Sequence, residues 1–448
     1  MKPDIAFGDF FNNTIIQRLH ETSISPSTKD TFFIDFDEYA LIKSDQFRIF
    51  KDKILSYIYS FLRVLEFESC WLISCKDTDF KILLGEKIGF DAICLDALHN
   101  RIFEKLASKY IPTANASYSR NFARAINLQD ECDIASFLYF ISQDLYANIQ
   151  TYLSEGDRTA DEPTYITLMN IASGLIFQVE KLKQWCRKDF SIGSLSSISE
   201  LENISHYSGN EEIPEIKDFP SRSSNISFSE ASIVTHKSYA DLMTDRDKLK
   251  RFSHYVYMDV EVAAMEVCAK NIVAYRHMPL DFKLDMARQI WDEARHTIMM
   301  RRFLVALGGK EGDYTYSAKV WKKCEKGSNL TERLAIQQVF QEGNALESNF
   351  LLTESFRNAG NDEMTRCMDF INADEAVHVK IGNFWMKYLL NGDDSAYQAT
   401  MEKAVGLVNS TLSSNVEVNR AARKISDFPD TFVDILEENN KLHGYRKT

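Results

Sequence analysis

Apolar residues recur at three- and four-residue intervals through four long stretches in the later half of the chain, and each stretch is closed by a helix-breaking signal. The first covers about residues 249–275 and stops before the turn His277-Met278-Pro279. The second starts at Pro279, a residue suited to a first helical turn, and reaches Leu307 ahead of Gly308-Gly309. The third spans about 330–358 and ends at Gly360; the fourth runs from Asn361 or Asp362 to Leu390 and stops at Asn391-Gly392. Two short connections and one longer link, about 308–329, predict a four-helix bundle with a crossover. A further helix over about 395–425 and a polar tail follow.

The earlier half carries a second set of helical patterns near 45–75, 79–109, 121–153 and 162–188. Between the sets, SIGSLSSISELENISHYSGNEEIPEIKDFPSRSSNIS is rich in Ser, Asn and acidic residues and reads as a linker, partly draped on a domain. The expected organisation is therefore an N-terminal helical domain (1–190), a Ser-rich linker (191–240), a helical domain (241–392), and a C-terminal helix and tail (393–448). The fold class is all-α. Asp96-Ala97-Leu98-His99 in the early set echoes Glu293-Ala294-Arg295-His296 in the late one, which suggests a tandem repeat whose first copy has lost its site.

Composition agrees with a helical globular chain: 45% hydrophobic and 26% charged residues, with only 17 Gly and 8 Pro among 448. A net charge of -13 disfavours a general nucleic-acid or anionic-membrane surface. No run of 18 apolar residues marks a membrane span, and Asp4 and Asp9 interrupt the place of a signal-peptide core, so the expected location is the cytoplasm. Eight scattered cysteines without a CxxC pair fit reduced, packing thiols. GxGxxG, Walker and GxSxG patterns are absent, which argues against a nucleotide- or flavin-binding domain and against an α/β-hydrolase elbow.

The chemistry-bearing residues are two copies of D-E-A-x-H, one at 292–296 and one at 374–378, on the second and fourth helices of the late bundle. At about 100° per residue, positions three apart share a helix face, so Glu293 with His296 and Glu375 with His378 can each offer an oxygen and a nitrogen to a metal. The other two helices offer Glu261 or Glu266 and Glu342 or Glu347; residues five apart are turned by about 140°, so one of each pair faces inward. Glu261 and Glu293 lie equally far from His277, and the separation of Glu261 from Glu293 (32) nearly matches that of Glu342 from Glu375 (33). The apolar stripe Tyr257, Met258, Ala264, Met265, Cys268 and Ile272 also favours Glu261. Glu266 and Glu347 stand as the alternative matched pair. Asp292 and Asp374 are candidates to orient the ligand histidines through their far ring nitrogens. Oxygen ligands with imidazole suit iron or manganese, and four carboxylates neutralise two divalent ions.

At these residues the sequence resembles the ferritin-like superfamily of dinuclear carboxylate proteins, and in particular a bacterial branch catalogued as a domain of unknown function. The likeness covers roughly residues 248–390 through EVAAMEV, HMPLDF, DEARH, RNAGNDE and DEAVHVKIGNFW. It implies a ferritin-like four-helix bundle and two metal ions held by Glu261 or Glu266, Glu293, His296, Glu342, Glu375 and His378; the first half lies outside the likeness, and whether it is a degenerate ferritin-like copy or an unrelated helical domain rests on the self-similarity alone. Two iron ions, or a manganese–iron pair, are the implied cofactor.

The expected function is an O2-activating non-heme dimetal oxidoreductase, an oxidase or oxygenase, acting on a small organic substrate with electrons from that substrate or an external donor. A homodimer is the candidate assembly. Ferroxidase or peroxide-handling activity is the alternative, and a non-catalytic helical scaffold a third.

Overall fold

The computed structural model describes residues 45–106, 112–114, 116–155, 161–186, 205–230, 238–410 and 416–443. Both flanks of the Ser-rich segment, residues 191–204 and 231–237, lie outside the described residues. The described chain is all-α apart from a two-residue antiparallel pairing of Thr113–Ala114 with Ser205–His206 and an isolated parallel bridge between Phe228 and Tyr316.

Two antiparallel hairpins form the late bundle. In the first, helix Arg246–Tyr255 passes through a π-helical stretch Val256–Glu261 into Val262–Ala274, one continuous rod here called α7. It is followed by α8, Leu280–Ala306, with Pro279 as its N-cap residue. In the second, Leu330–Leu334, a π-helical stretch Ala335–Gln341 and Glu342–Asn358 make the rod α10, followed by α11, Asp362–Leu389. The crossover between them carries the short helix α9, Lys319–Cys324. The caps are local: Asp245 accepts from the backbone of Asp247 and Lys248 ahead of α7, Asn329 from Glu332 ahead of α10, and Asn361 from Met364 ahead of α11. Gly308 and Gly360 close α8 and α10 at positive φ, a conformation open to a residue without Cβ.

The early helices are α1 (Asp45–Ser74), α2 (Thr78–Leu106), α3 (Ala116–Ala125), α4 (Glu131–Glu155) and α5 (Glu162–Cys186). The expected single helix over 121–153 is thus broken near Asp130, whose carboxylate accepts from the backbone of Cys132 and Asp133 and starts α4. Helix pairs stack in layers: α4 with α5, then α1 with α2, then α7 with α8, then α10 with α11, and α2 lies against α8. One continuous apolar core runs through these layers from Phe50 to Leu436. The α2–α8 contact is close because α2 presents Gly85 and Gly89 there. A Cβ on Gly89 would come within 2.6 Å of the Trp291 Cβ, and one on Gly85 within 2.9 Å of the Ala294 Cβ.

The described part of the linker, 205–230, drapes over this core without helical structure. Arg222 from it reaches Glu266, and the Asp218 carbonyl accepts from the Trp321 indole. A short helix α6 (Tyr239–Thr244) leads back to the bundle. At the far end the single helix expected over 395–425 is instead two, α12 (Asp394–Leu407) and α13 (Arg420–Ile425). The expected polar tail holds a helix, α14 (Asp430–His443). Asn409 and Asp427 at positive φ end α12 and α13, and Pro429 opens the way for Phe432, Val433 and Leu436 to pack inward. Among the described residues no helix is long and apolar enough to cross a membrane.

Candidate metal centre

Six side chains converge between α7, α8, α10 and α11. Glu261 is the last residue of the first π-helical stretch and Glu342 the first residue after the second. A π turn inserts one residue into a helix and re-aims the side chains beyond it, a device found at functional sites. Glu293 and His296 sit one turn apart on α8, Glu375 and His378 one turn apart on α11.

Their donor atoms form two overlapping groups. Glu261, Glu293, His296 and Glu375 make one; Glu293, Glu342 and His378 make the other; within each, the facing atoms lie within 4.8 Å of one another. His296 Nδ1 is 3.1 Å from Glu293, 3.6 Å from Glu261 and 3.9 Å from Glu375. His378 Nδ1 is 3.4 Å from Glu293 and 3.8 Å from Glu375. The two imidazole centroids are 6.0 Å apart. Glu293 thus faces both histidines, as does Glu375. All six residues are buried, with exposures from 0 to 6%.

Burial on this scale leaves charge without solvent. Glu261 Oε2, Glu342 Oε2, Glu375 Oε2 and His378 Nδ1 are buried with no hydrogen-bond partner, an arrangement that costs free energy unless a cation or protons fill it. Protons respond first. Burial, with Glu375 and Glu261 nearby, holds the Glu293 carboxyl well above the usual range. Burial and Glu375 push Glu342 up to about 7. Burial opposes charge on the histidines, but contacts with Asp374, Glu261 and Glu293 outweigh it for His296, and with Asp292, Glu375 and Glu293 for His378, so both are held well above the ordinary imidazole value. Oxygen and imidazole donors with orphaned lone pairs could hold a metal ion.

The far ring nitrogens are braced crosswise. His296 Nε2 lies 3.2 Å from Asp374, and His378 Nε2 lies 3.3 Å from Asp292. Each D-E-A-x-H motif therefore supplies the aspartate that braces the other motif's histidine. Arg295 donates to both aspartates and Arg288 to Asp292, while Arg288 also lies 3.6 Å from Asp374. Burial alone would raise Asp292, but Arg288, the His378 hydrogen bond and Arg295 outweigh it and hold the carboxyl far below its usual range. The Trp291 ring packs against both guanidinium groups, 4.9 Å from Arg295 and 5.8 Å from Arg288.

The alternative carboxylates face elsewhere. Glu266 is paired with Lys81 of α2 at 2.7 Å and with Arg222 of the draped segment. Glu347 takes Arg423 of α13 at 2.8 Å and the backbone N–H of Asn419 at 3.2 Å. Five residues beyond Glu261 and Glu342, they point away from the centre and anchor the chain parts that flank the bundle. Asp96 and His99 belong to neither metal-competent group; among the described residues both groups lie in the late bundle. Among the buried acids of the early helices, Glu68 and Asp91 are joined by Lys87 at 2.9 and 2.6 Å. Tyr257 donates to Glu311 at 2.8 Å and does not enter the cluster. His254 is 1% exposed and packs edge-on against Tyr257 and Tyr314.

Sequence reasoning missed the amides around Glu342. Gln289, Gln337, Gln338 and Gln341 form a chain of hydrogen bonds there. The signal was a polar side chain one turn from a candidate ligand on an otherwise buried face.

Residues 180–434 match a family described as "Protein of unknown function (DUF455)". An uncharacterized protein of Haemophilus influenzae (strain ATCC 51907 / DSM 11121 / KW20 / Rd) is 28% identical over 107 residues, a match that covers 24% of this chain and 37% of that relative's length. No solved structure matches. The family match takes in all six converging side chains and both bracing aspartates, and it spans more than half of the 448 residues; the chain belongs to the DUF455 family.

Proposed function

We propose that this protein binds two transition-metal ions in the manner of the ferritin-like dinuclear carboxylate proteins and is an oxidoreductase that activates O2. The observation that carries the reading is the pair of overlapping donor groups sharing Glu293, each with one histidine whose far nitrogen rests on an aspartate. Glu261 and His296 would serve one ion, Glu342 and His378 the other, with Glu293 and Glu375 between them. A reduced iron or manganese–iron pair supplies one-electron redox chemistry toward dioxygen. Two ferrous ions carry two of the four electrons that take O2 to water, so the remaining two come from a small organic substrate or an external reductase. The residues of the chain hold the ions, keep bulk water out and, through Asp292 and Asp374, fix which imidazole nitrogen faces inward.

A second reading, peroxide reduction or ferrous-ion oxidation without an organic substrate, is favoured by the depth of the site. With its six residues at most 6% exposed, the centre suits a reactant no larger than a few atoms.

Metal analysis of the purified protein followed by anaerobic ferrous loading and rapid mixing with O2 tests the proposal. Two ions per chain and a transient absorption on mixing are expected; a chain that takes up no transition metal ends it. Adding candidate organic substrates against hydrogen peroxide separates the two readings, since only the first couples oxidant consumption to an oxidised organic product.

A further inference from the structure

The two hairpins place their ligands alike, yet the two cation positions differ in the amides around them. Glu342 Oε1 accepts from Gln289 Nε2 at 2.8 Å and from Gln337 Nε2 at 3.1 Å. Gln337 stands five residues before Glu342 in the π-helical stretch, the spacing that a π turn brings into register. Gln289 stands four residues before Glu293 on α8. Both amides are themselves oriented: the Gln289 oxygen accepts from Gln338 at 3.3 Å, and the Gln337 oxygen from Gln341 at 2.6 Å. Their NH2 ends are thereby turned toward the carboxylate.

At the same offsets in the other hairpin the donors are missing. Five residues before Glu261 is Val256, and four before Glu375 is Ile371. Neither side chain has a proton to give. Glu342 therefore presents one engaged oxygen and one, Oε2, that is buried and without a partner.

We infer that Gln289 and Gln337 are positioning residues that hold Glu342 to one-oxygen ligation and make the position at His378 the weaker, second-filled of the two cation positions. The inference rests on the metal-binding reading above. Two N–H donors draw charge from the carboxylate and keep Oε1 from turning to the metal. With Val256 and Ile371 in place of the amides, Glu261 keeps its full charge, so the attraction for a divalent ion is greater at His296. One-oxygen ligation by Glu342 would also leave the His378 position with room for an incoming reactant, as open metal positions require.

A titration of the metal-free full-length protein with Mn2+, followed by electron paramagnetic resonance, tests this. At one equivalent the hyperfine-resolved signal of an isolated Mn2+ is expected, fading as the second equivalent arrives beside it and the ions couple. In the double variant Gln289→Leu/Gln337→Leu the gap between the two affinities should narrow by about tenfold, the scale of outer-sphere hydrogen-bond effects, and the isolated-ion signal at one equivalent should shrink. Anomalous diffraction from wild-type crystals loaded with one equivalent should place the ion at His296, and this readout stands even if the double variant does not fold. Coupled pairs alone at one equivalent, an unchanged double variant, or a half-loaded ion at His378 would each overturn the inference while leaving metal binding intact. Failure to bind Mn2+ at all would instead remove the reading on which it rests.

Discussion

Asp292 braces His378 across the bundle: the carboxylate on α8 and the imidazole Nε2 on α11, 86 residues apart in the chain, lie 3.3 Å from each other. A carboxylate held ionised by Arg288 and Arg295 can only accept, so it selects the tautomer with hydrogen on Nε2 and leaves the Nδ1 lone pair for the centre. Asn offers an N–H where Asp offers a lone pair, and can stabilise the opposite tautomer. Asp292→Asn is therefore expected to weaken metal binding by about 10–100-fold with the fold retained. Competition with a chromophoric chelator measures it; wild-type affinity in the variant would show that the brace has no bearing on the ligand.

The metal-free protein should lose stability as pH rises through neutrality. Glu342 in the folded chain keeps its proton up to about 7, whereas an ordinary carboxyl gives it up near 4.5, so between these values the folded state binds more protons. His296 and His378, raised above 6.5, stabilise the fold fully below that value and lose the contribution as pH climbs through their higher folded values. Both effects have the same sign, since stability falls with pH wherever the native state holds the extra proton. Cations displace those protons, so saturating metal should flatten the slope and binding should release protons. Denaturant unfolding from about pH 6.5 to 8, above the range in which buried His254, lowered to about 4, gives the opposite slope, reads both with and without metal; a metal-free stability that increases with pH there would contradict the assignment.

Glu261 and Glu266 lie five residues apart on one rod and should respond in opposite ways to removal. Glu266 neutralises Lys81 and Arg222, both deeply buried. Taking away one partner of such a pair costs about 3–5 kcal/mol, because the remaining charges stay desolvated. Glu266→Ala should thus lower the melting temperature strongly while the residual folded protein still binds metal at full stoichiometry. Glu261→Ala removes one of several mutually repelling carboxylates, so it should lose affinity at the His296 position with little loss of metal-free stability. The reverse pattern in melting and metal content would exchange the roles of the two residues.

The late bundle was legible because its signals are local and repeated. Two D-E-A-x-H copies, matched separations to partner glutamates, and Gly or Pro at the helix ends all follow from helical geometry alone. That Glu261 and Glu342, rather than Glu266 and Glu347, converge with the histidines was legible in part, from depth and the apolar stripe. Burial does not separate the two on α10, since the outward carboxylate is as buried as the inward one: Glu347 is 3% exposed and Glu342 6%. Arg423 satisfies Glu347 from 76 residues away, and no periodicity reports a partner at that distance. The crosswise bracing was half legible: the aspartates were apparent, but their swap between motifs depends on how α8 and α11 pack. The π-helical stretches left no sequence signal, because an i→i+5 turn has no residue preference comparable to that of Gly at a cap. The close seating of the early helices on α8 rested on a spacing, Gly85 and Gly89, that reads by itself as mere helix weakness.

That spacing makes the last prediction. Gly89 of α2 faces Trp291 of α8, where an added Cβ would come within 2.6 Å of two indole-side-chain carbons, Cβ and Cγ. Trp291 in turn packs on Arg288 and Arg295, which hold the bracing aspartates. Relief of the overlap requires either the helices to part or the tryptophan to move, and overpacking of this kind costs about 1–3 kcal/mol. Gly89→Ala should therefore lower stability in denaturant unfolding and, through the displaced Trp291, weaken metal binding in the same protein. Gly308→Ala is the matched control. Gly308 has φ of 77° and nothing within 4 Å of its added Cβ, so the change strains the backbone at the end of α8 without touching the centre. It should cost about 1 kcal/mol and leave metal affinity unaltered. If Gly89→Ala weakens the fold by a similar amount but binds metal as wild type does, the early helices support the bundle without shaping its centre; if it alters neither, the α2–α8 contact is looser than the packing of Gly89 on Trp291 requires.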